Sequence, residues 1–391
     1  MNITGIICEY NPFHLGHFKQ INTIRTQNPD VAVVALMSGN FVQRGYPAIF
    51  DKAYRAKAAI LSGADLVLEL PVTASLSSAE GFASEGVRIL SGFCDSLSFG
   101  AENADADALL STAQALLSSE FSTELKQILS SGLSFPAARQ KALTHMGLDG
   151  NILSTPNNIL AVEYCKAILS QKSILKPEPI LRQGNYHETT ADNENPSATA
   201  LRLLIENGME WKIFVPQNVG FVFQNAPIHT LNAGEKAILY RLRTMTDADF
   251  EALPYGSEGL WRKLMKNARH YASLEEILTA TKSKRYTRTR LDRMVMCAFL
   301  GLTARDLHSP APYVRVLALN DRGRQVLLKA RQTGFFPNAG EKIDHPWQSV
   351  ENRCDDLYGL FANGSSESAG ITEKRRIHYQ KERETHGNYE M

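Results

Sequence analysis

The stretch YNPFHLGHFKQ, residues 10–20, decides how the rest of the chain is read. It follows an apolar run, Ile3 to Cys8, that reads as a first strand, and it opens what reads as a first helix. A glycine between two histidines at a sharp strand-to-helix turn suits an anion seated on that turn. The first N–H groups of a helix lack intrahelical partners and carry partial positive charge, so they attract phosphate. His14 and His17, three residues apart, share one face of that first turn. From there two imidazoles can donate hydrogen bonds to phosphate oxygens that gain charge in a transition state. Gly16 between them leaves the backbone open to a nucleotide, with no Cβ in the way.

Outward from this turn, the first half of the chain alternates short apolar runs with helical spacing. Ile3–Cys8, Val31–Met37, Asp65–Leu70 and Ser96–Phe99 are expected strands, rich in Val, Ile and Leu and without strict alternation. That is how strands of a parallel sheet covered on both faces look. Residues 15–26, 51–62 and 78–91 carry helical periodicity. The order βαβαβαβ predicts a doubly wound, Rossmann-like α/β domain with a parallel sheet. Ligands of such sheets lie beyond the carboxyl ends of the strands, so Glu9–His17, Ser38–Gly45, Pro71–Thr73 and Gly100–Asn103 are the expected rim. Neither G-x-x-x-x-G-K-[ST] nor G-x-G-x-x-G occurs, which leaves the histidine turn as the phosphate device. On the helix after Asp51, Lys52, Arg55 and Lys57 read as a solvated face, with phosphate or RNA contact as the sharper alternative.

The bulk properties are those of an ordinary globular protein. With 391 residues the chain suits two or three domains, and 43% hydrophobic with 21% charged residues is unremarkable for a water-soluble protein. A net charge of +1 provides no global field for nucleic acid, so any basic surface must be local. Cys8, Cys94, Cys165, Cys297 and Cys354 are scattered, odd in number and without a CxxC pair. Reduced thiols in a cytoplasmic protein are expected, without a disulfide framework, a protein-held metal site or a redox cofactor. Nothing reads as a leader peptide, and no run of about 18 apolar residues predicts a membrane span.

NPFHLGH, residues 11–17, resembles the HxGH signature of the nucleotidylyltransferase and class I aminoacyl-tRNA synthetase superfamily, whose domain is of the HUP type. The longer string EYNPFHLGH, with MSGNFVQRG (37–45) and PNNILAVEY (156–164), is similar to the bacterial tRNA(Met) cytidine acetate ligases. The resemblance implies catalytic roles for His14 and His17. It implies ATP contacts along Ile7, Cys8, Glu9, Tyr10, Asn11, Pro12, Phe13, His14, Leu15, Gly16, His17, Phe18, Lys19 and Gln20, and at Gly100, Asn157 and Arg182. Pro196 to Arg202 looks like the superfamily's second signature, in which Ser197, Thr199 and Arg202 would hold the triphosphate while Ala198 departs from the pattern. Physically, Asn157 also reads as a helix cap, Arg182 as a lone surface cation and Cys8 as strand packing.

After Val215-Pro216 the βα alternation stops, and helical segments follow near 232–243, 247–252, 257–269, 273–280 and 288–301. A late strand at Val314–Leu319 precedes a turn at Asn320 to Gly323. The expected domains are 1–206, an ATP-binding nucleotidyltransferase-like α/β domain; 207–362, mostly helical and tRNA-binding; and 363–391, a mobile polar tail. Residues 261–293 hold ten Lys or Arg against three acids. Within them Lys282, Lys284, Arg285, Arg288 and Arg290, interleaved with Tyr286 and hydroxyls, suit sugar-phosphate contact and base stacking.

The implied reaction is ligation. ATP, carried with Mg²⁺, and acetate give acetyladenylate and diphosphate, and the acetyl group then moves to N4 of the wobble cytidine of elongator tRNA(Met). Phosphorus chemistry of this kind depends on positioning and charge stabilisation rather than covalent help. The acid is expected beside the Ser38–Arg44 loop. Two alternatives stay open: a nucleotidyltransferase that joins a nucleoside monophosphate to a small phosphate ester, and a non-catalytic RNA-binding protein.

Overall fold

The computed structural model describes residues 1–182, 196–333, 345–370 and 377–381. Among them nine strands occur: β1 (Ile3–Cys8), β2 (Ala32–Ser38), β3 (Phe41–Val42), β4 (Tyr46–Pro47), β5 (Leu66–Leu70), β6 (Ser96–Ala101), β7 (Lys176–Leu181), β8 (Arg315–Asn320) and β9 (His378–Gln380). Strands β3 and β4 form a small hairpin; the others make one sheet in the order β7-β6-β1-β2-β5-β8-β9. The central pair runs parallel with Ile3 opposite Ala32 and Cys8 opposite Met37. All six residues of β1 and all seven of β2 are buried, because helices cover both faces. One face packs Ile3, Ile7, Phe82, Phe99 and Tyr164. The other packs Ile6, Cys8, Phe13, Ile21 and Leu201. The doubly wound α/β architecture is therefore as the apolar runs predict.

The C-terminal part enters this sheet. The run at 314–319 is a strand, but it lies antiparallel against β5, with Leu66 opposite Leu319. The sheet thus extends beyond residues 1–206. Asn320 makes no hairpin turn; its Oδ1 accepts the N–H of Gly323 at 2.8 Å and caps the helix Asp321–Ala330. In the tail expected to be mobile, His378–Gln380 pairs with β8 from Ala318 to Asn320. The tail's residues 371–376 and 382–391 lie outside the described residues.

Between these strands comes the helical part, with Leu231–Thr244, Asp247–Glu251, Leu260–His270, Leu274–Thr281 and Arg288–Leu300 close to the expected segments. The last is buried from Leu291 through Leu300, so it is the axis around which the others pack. Its Arg293 is only 8% exposed, with the guanidinium 5.0 Å from the centre of the Tyr255 ring. One of the ten cations counted as basic surface therefore points inward.

The cations after Asp51 are corrected more sharply. Helix α1 spans Leu15–Gln27 and helix α2 spans Lys52–Leu61. Lys52 and Arg55 of α2 are buried, and Lys57 alone of the three is exposed. Lys52 Nζ pairs with Glu69 at 2.7 Å and Asp355 at 2.5 Å. Arg315 joins the same cluster through Glu69, Glu351 and Asp355. Burial pushes the Glu351 carboxyl above its ordinary value, against the opposing pull of Arg315. Gly39 belongs to the same packing: a Cβ there would stand 2.4 Å from Glu69 Oε1.

Arg55 pairs with backbone instead. Its Nε donates to Phe50 O at 2.8 Å, and Nη1 donates to Glu9 O at 2.6 Å and Ser38 O at 3.1 Å. Nη2 donates to Gly39 O. One side chain thus satisfies the carbonyls that leave β1 and β2. We expect Arg55→Met to strand four buried carbonyls and to lower unfolding stability by at least about 3 kcal/mol. Urea denaturation would show this as a lower midpoint with an unchanged slope.

Candidate active site

The turn after β1 is held by its own side chains and by Arg202. Tyr10 takes φ 45, the following Asn11-Pro12 bond is cis, and Asn11 Oδ1 accepts the N–H of Ile49 at 2.8 Å. Arg202 Nη1 donates to Asn11 O at 2.7 Å, and its Nη2 donates to Thr199 Oγ1 at 3.1 Å. The second signature segment is in this way tied to the first. Ser197 Oγ caps the helix Ala198–Glu206 by accepting the N–H of Ala200 at 3.0 Å.

His14 is the N-cap of α1. Its Nδ1 accepts the N–H of Gly16 at 3.1 Å, while His17 Nδ1 accepts the N–H of His14 at 3.3 Å. The two rings lie 3.7 Å apart, centre to centre. With both Nδ1 atoms used as acceptors, each neutral ring carries its proton on Nε2. His14 is 2% exposed, and its Nε2 has no partner among the described residues. Burial first, then His17, Arg182 and Arg202, hold His14 well below the ordinary imidazole value. Burial and then Arg182 hold His17 down to about 3. Gly16 has a packing reason too, since a Cβ would stand 2.9 Å from His14 Cε1.

These groups line a cleft of about 310 Å³ at the carboxyl ends of β1, β6 and β7. The expected residues that reach it are Ile7, Cys8, Glu9, Tyr10, Asn11, His14, Gly16, His17, Lys19, Gln20, Gly100, Asn157, Arg182, Ser197, Thr199 and Arg202. Pro12, Phe13, Leu15 and Phe18 do not reach it. Phe13 is fully buried with its ring 4.8 Å from that of Tyr10, so it supports the turn from behind. Of the loop expected to hold the acid, Val42, Gln43 and Arg44 reach the cleft; Ser38, Gly39 and Asn40 do not.

Asn157 is not the helix cap. Thr155 occupies that place ahead of the helix Pro156–Ser170, and Glu102 supplies the acceptors. Glu102 takes hydrogen bonds from Thr155 Oγ1, Asn157 Nδ2 and the N–H of Asn158 at 2.8, 2.6 and 2.9 Å. Asn157 is thereby oriented, and Arg182 Nη1 approaches its Oδ1 at 3.5 Å. The sequence placed Glu102 at the rim and Arg55 on a helix face but gave no signal for these roles, which depend on partners such as Asn157 and Glu9 about 50 residues away.

This geometry has counterparts. A sequence profile described as HIGH Nucleotidyl Transferase matches residues 1–370. A tRNA(Met) cytidine acetate ligase of Clostridium novyi is 38% identical, covering 86% of this chain and 89% of that one. The chain belongs to the tRNA(Met) cytidine acetate ligase family. An Anoxybacillus flavithermus ligase of this family is 35% identical over 92% of this chain and 94% of its own. The crystal structure of Thermotoga maritima TmcAL bound with alpha-thio ATP superimposes with a TM-score of 0.87. It is 27% identical and covers 98% of this chain and 100% of its own. Within this family fold, none of the five predicted basic residues lines the histidine cleft; they lie on the helical part.

Those five differ in what surrounds them. Lys282, Lys284 and Arg285 are exposed, and Arg285 pairs with Glu258 at 3.0 Å. Arg288 is held by Glu275 at 2.6 Å and Asp292 at 2.8 Å. Arg290 donates to Tyr255 O and Ser257 Oγ at 2.9 Å and lies over the Tyr286 ring. Arg288 and Arg290 are partly exposed but already serve partners on the helical part.

The histidines give a pH dependence of fixed sign. Both bind their proton more weakly folded than unfolded, where the value is about 6.5. Stability is therefore complete above about pH 6.5 and falls as the pH drops from there toward 3. We expect His17→Gln to flatten this decline, by at most about 1.4 kcal/mol per pH unit. Urea midpoints at pH 7.5, 6 and 5 would reveal it.

Proposed function

We propose that this chain is an ATP-dependent tRNA(Met) cytidine acetate ligase that works through an acetyladenylate. The observation that carries this reading is the pair of neutral imidazoles whose Nδ1 atoms are both occupied by backbone N–H groups. Each can offer an Nε2–H to an anion without changing its own charge. Donors fixed in place before charge develops, in a site that excludes water, are worth far more than donors in water. In our reading acetate oxygen attacks the α-phosphorus in line, and His14 and His17 meet the α-phosphate region and the departing diphosphate. Ser197, Thr199 and Arg202 hold the diphosphate portion, with Mg²⁺ travelling on the triphosphate. Gly100 supports a ribose or adenine contact, since a Cβ there would meet no protein atom nearer than 4.0 Å. The space beside it belongs to the cleft.

We assign the nucleotide chemistry to residues 1–206 and tRNA contact to the helical part of 207–362, with the polar tail reaching back to the sheet. Lys282 and Lys284 are the preferred phosphate contacts, because both are exposed while Arg288 and Arg290 are less exposed and already paired within the chain. Exposed ion pairs are worth little, so Arg285 can exchange Glu258 for a phosphate.

Incubation with ATP, isotopically labelled acetate and bulk tRNA should give labelled N4-acetylcytidine on nucleoside mass spectrometry. His14→Ala or His17→Ala should lower the rate by about 10²–10³-fold. Label absent while ATP is consumed with a small phosphate ester would favour the nucleotidyltransferase alternative. For RNA contact, Lys282→Ala and Lys284→Ala should each reduce the slope of log affinity against log salt by about 1, measured by filter binding.

A further inference from the structure

The cleft carries both signs of charge. His14, His17, Arg182 and Arg202 offer donors or positive charge, and Lys19 and Arg44 line it as well. Glu9, the first residue after β1, lines the same cleft with a carboxylate. Its Oε1 accepts the N–H of Gln43 at 2.9 Å, and its backbone oxygen accepts from buried Arg55, so the carboxylate is fixed at both ends. Tyr164 lines the same cleft. It is 2% exposed, and its hydroxyl has no hydrogen-bond partner among the described residues. Burial raises it well above its ordinary value of 10, so it remains a neutral O–H donor.

A carboxylate repels acetate and phosphate, and it suits an N–H donor. Arg44, beside Gln43, lines the same cleft, but the Glu9 carboxylate itself is unfit for either anionic substrate. It fits the base that is to be acylated. Cytosine presents an amine donor at N4 and acceptors at N3 and O2, and acidic side chains accept from that amine. Glu9 and Tyr164 supply the complementary acceptor and donor. Uracil would place an oxygen against Glu9 and be repelled.

We propose that Glu9 is a catalytic residue for the acceptor cytosine, binding its N4 amine and taking the amine proton during acyl transfer, and that Tyr164 is a positioning residue on the same base. The step rests on the ligase reading above. Nitrogen attacks the acyl carbon of the adenylate and the C–N bond forms. The bond from that carbon to the phosphate oxygen breaks, and its electron pair leaves on AMP. The N4 proton passes to the Glu9 carboxylate and from there to water.

The two half-reactions separate this role from the nucleotide chemistry. Acetate-dependent exchange of labelled diphosphate into ATP reports adenylate formation, and single-turnover transfer to tRNA reports the second step. Glu9→Gln keeps an oxygen for the Gln43 N–H but loses the charge. It should slow transfer by about 10²–10⁴-fold more than it slows exchange, while Glu9→Asp recovers part of that difference. Tyr164→Phe should weaken the dependence of transfer on tRNA concentration and spare exchange. Equal loss of exchange and transfer in Glu9→Gln, from misplaced nucleotide or a disturbed fold, would overturn the proposal. So would transfer at the wild-type rate. Wild-type protein lacking acetate-dependent exchange would instead remove the ligase reading itself.

Discussion

Everything at the rim of this sheet depends on one buried guanidinium. Arg55 reaches from α2 beneath the ends of β1 and β2 and holds the carbonyls of Glu9, Ser38, Gly39 and Phe50. A buried cation is tolerable only when its donors are met, and here strand ends supply the acceptors. Because Glu9 O is fixed, the chain must leave β1 along one path into Tyr10 and the capped start of α1. The same anchor sets the exit of β2 and so brings Gln43 to the carboxylate of Glu9. A side chain that does not itself line the cleft thus determines where cleft residues stand.

On that frame the cleft combines neutral donors and arginines with one fixed carboxylate, Glu9. The imidazoles are kept uncharged by burial and by neighbouring arginines, so they act as fixed dipoles rather than as ions. Their geometry comes from the helix start itself, since the hydrogen bonds that cap α1 also select the tautomer. Local helix capping and phosphate chemistry are here one arrangement. Glu102 does comparable work on the opposite rim by holding the start of the helix Pro156–Ser170 and turning Asn157 toward Arg182.

The strands of the first half were legible because doubly covered parallel strands must be apolar throughout, and the HxGH turn announced the phosphate end of the sheet. The late strand was legible too, but not its partner. A hydrophobic run of six residues does not say whether it lies 10 or 250 residues from its neighbour in the chain. Charge was the least readable signal. Lys52 and Arg55 looked like a wet face, yet their partners Glu69 and Asp355, and the carbonyls of two loops, lie elsewhere in sequence. Composition also counted Arg288 and Arg290 among the basic residues and could not see Glu275, Asp292 or Tyr255 O beside them. Asn157 looked like a cap because helix starts favour asparagine, and a glutamate from a preceding loop took that role.

The pairing of β8 with β5 has a further consequence for how the protein is made. Asp65 and Asn320, hydrogen-bonded at 2.9 Å, are 255 residues apart. During synthesis the outer edge of β5 waits on the order of tens of seconds for that partner, at ordinary translation rates. An unpaired edge of buried aliphatic residues invites the wrong neighbour. The nascent sheet is therefore the interval in which this chain has most need of a chaperone, and a premature stop anywhere before residue 315 leaves that edge open permanently.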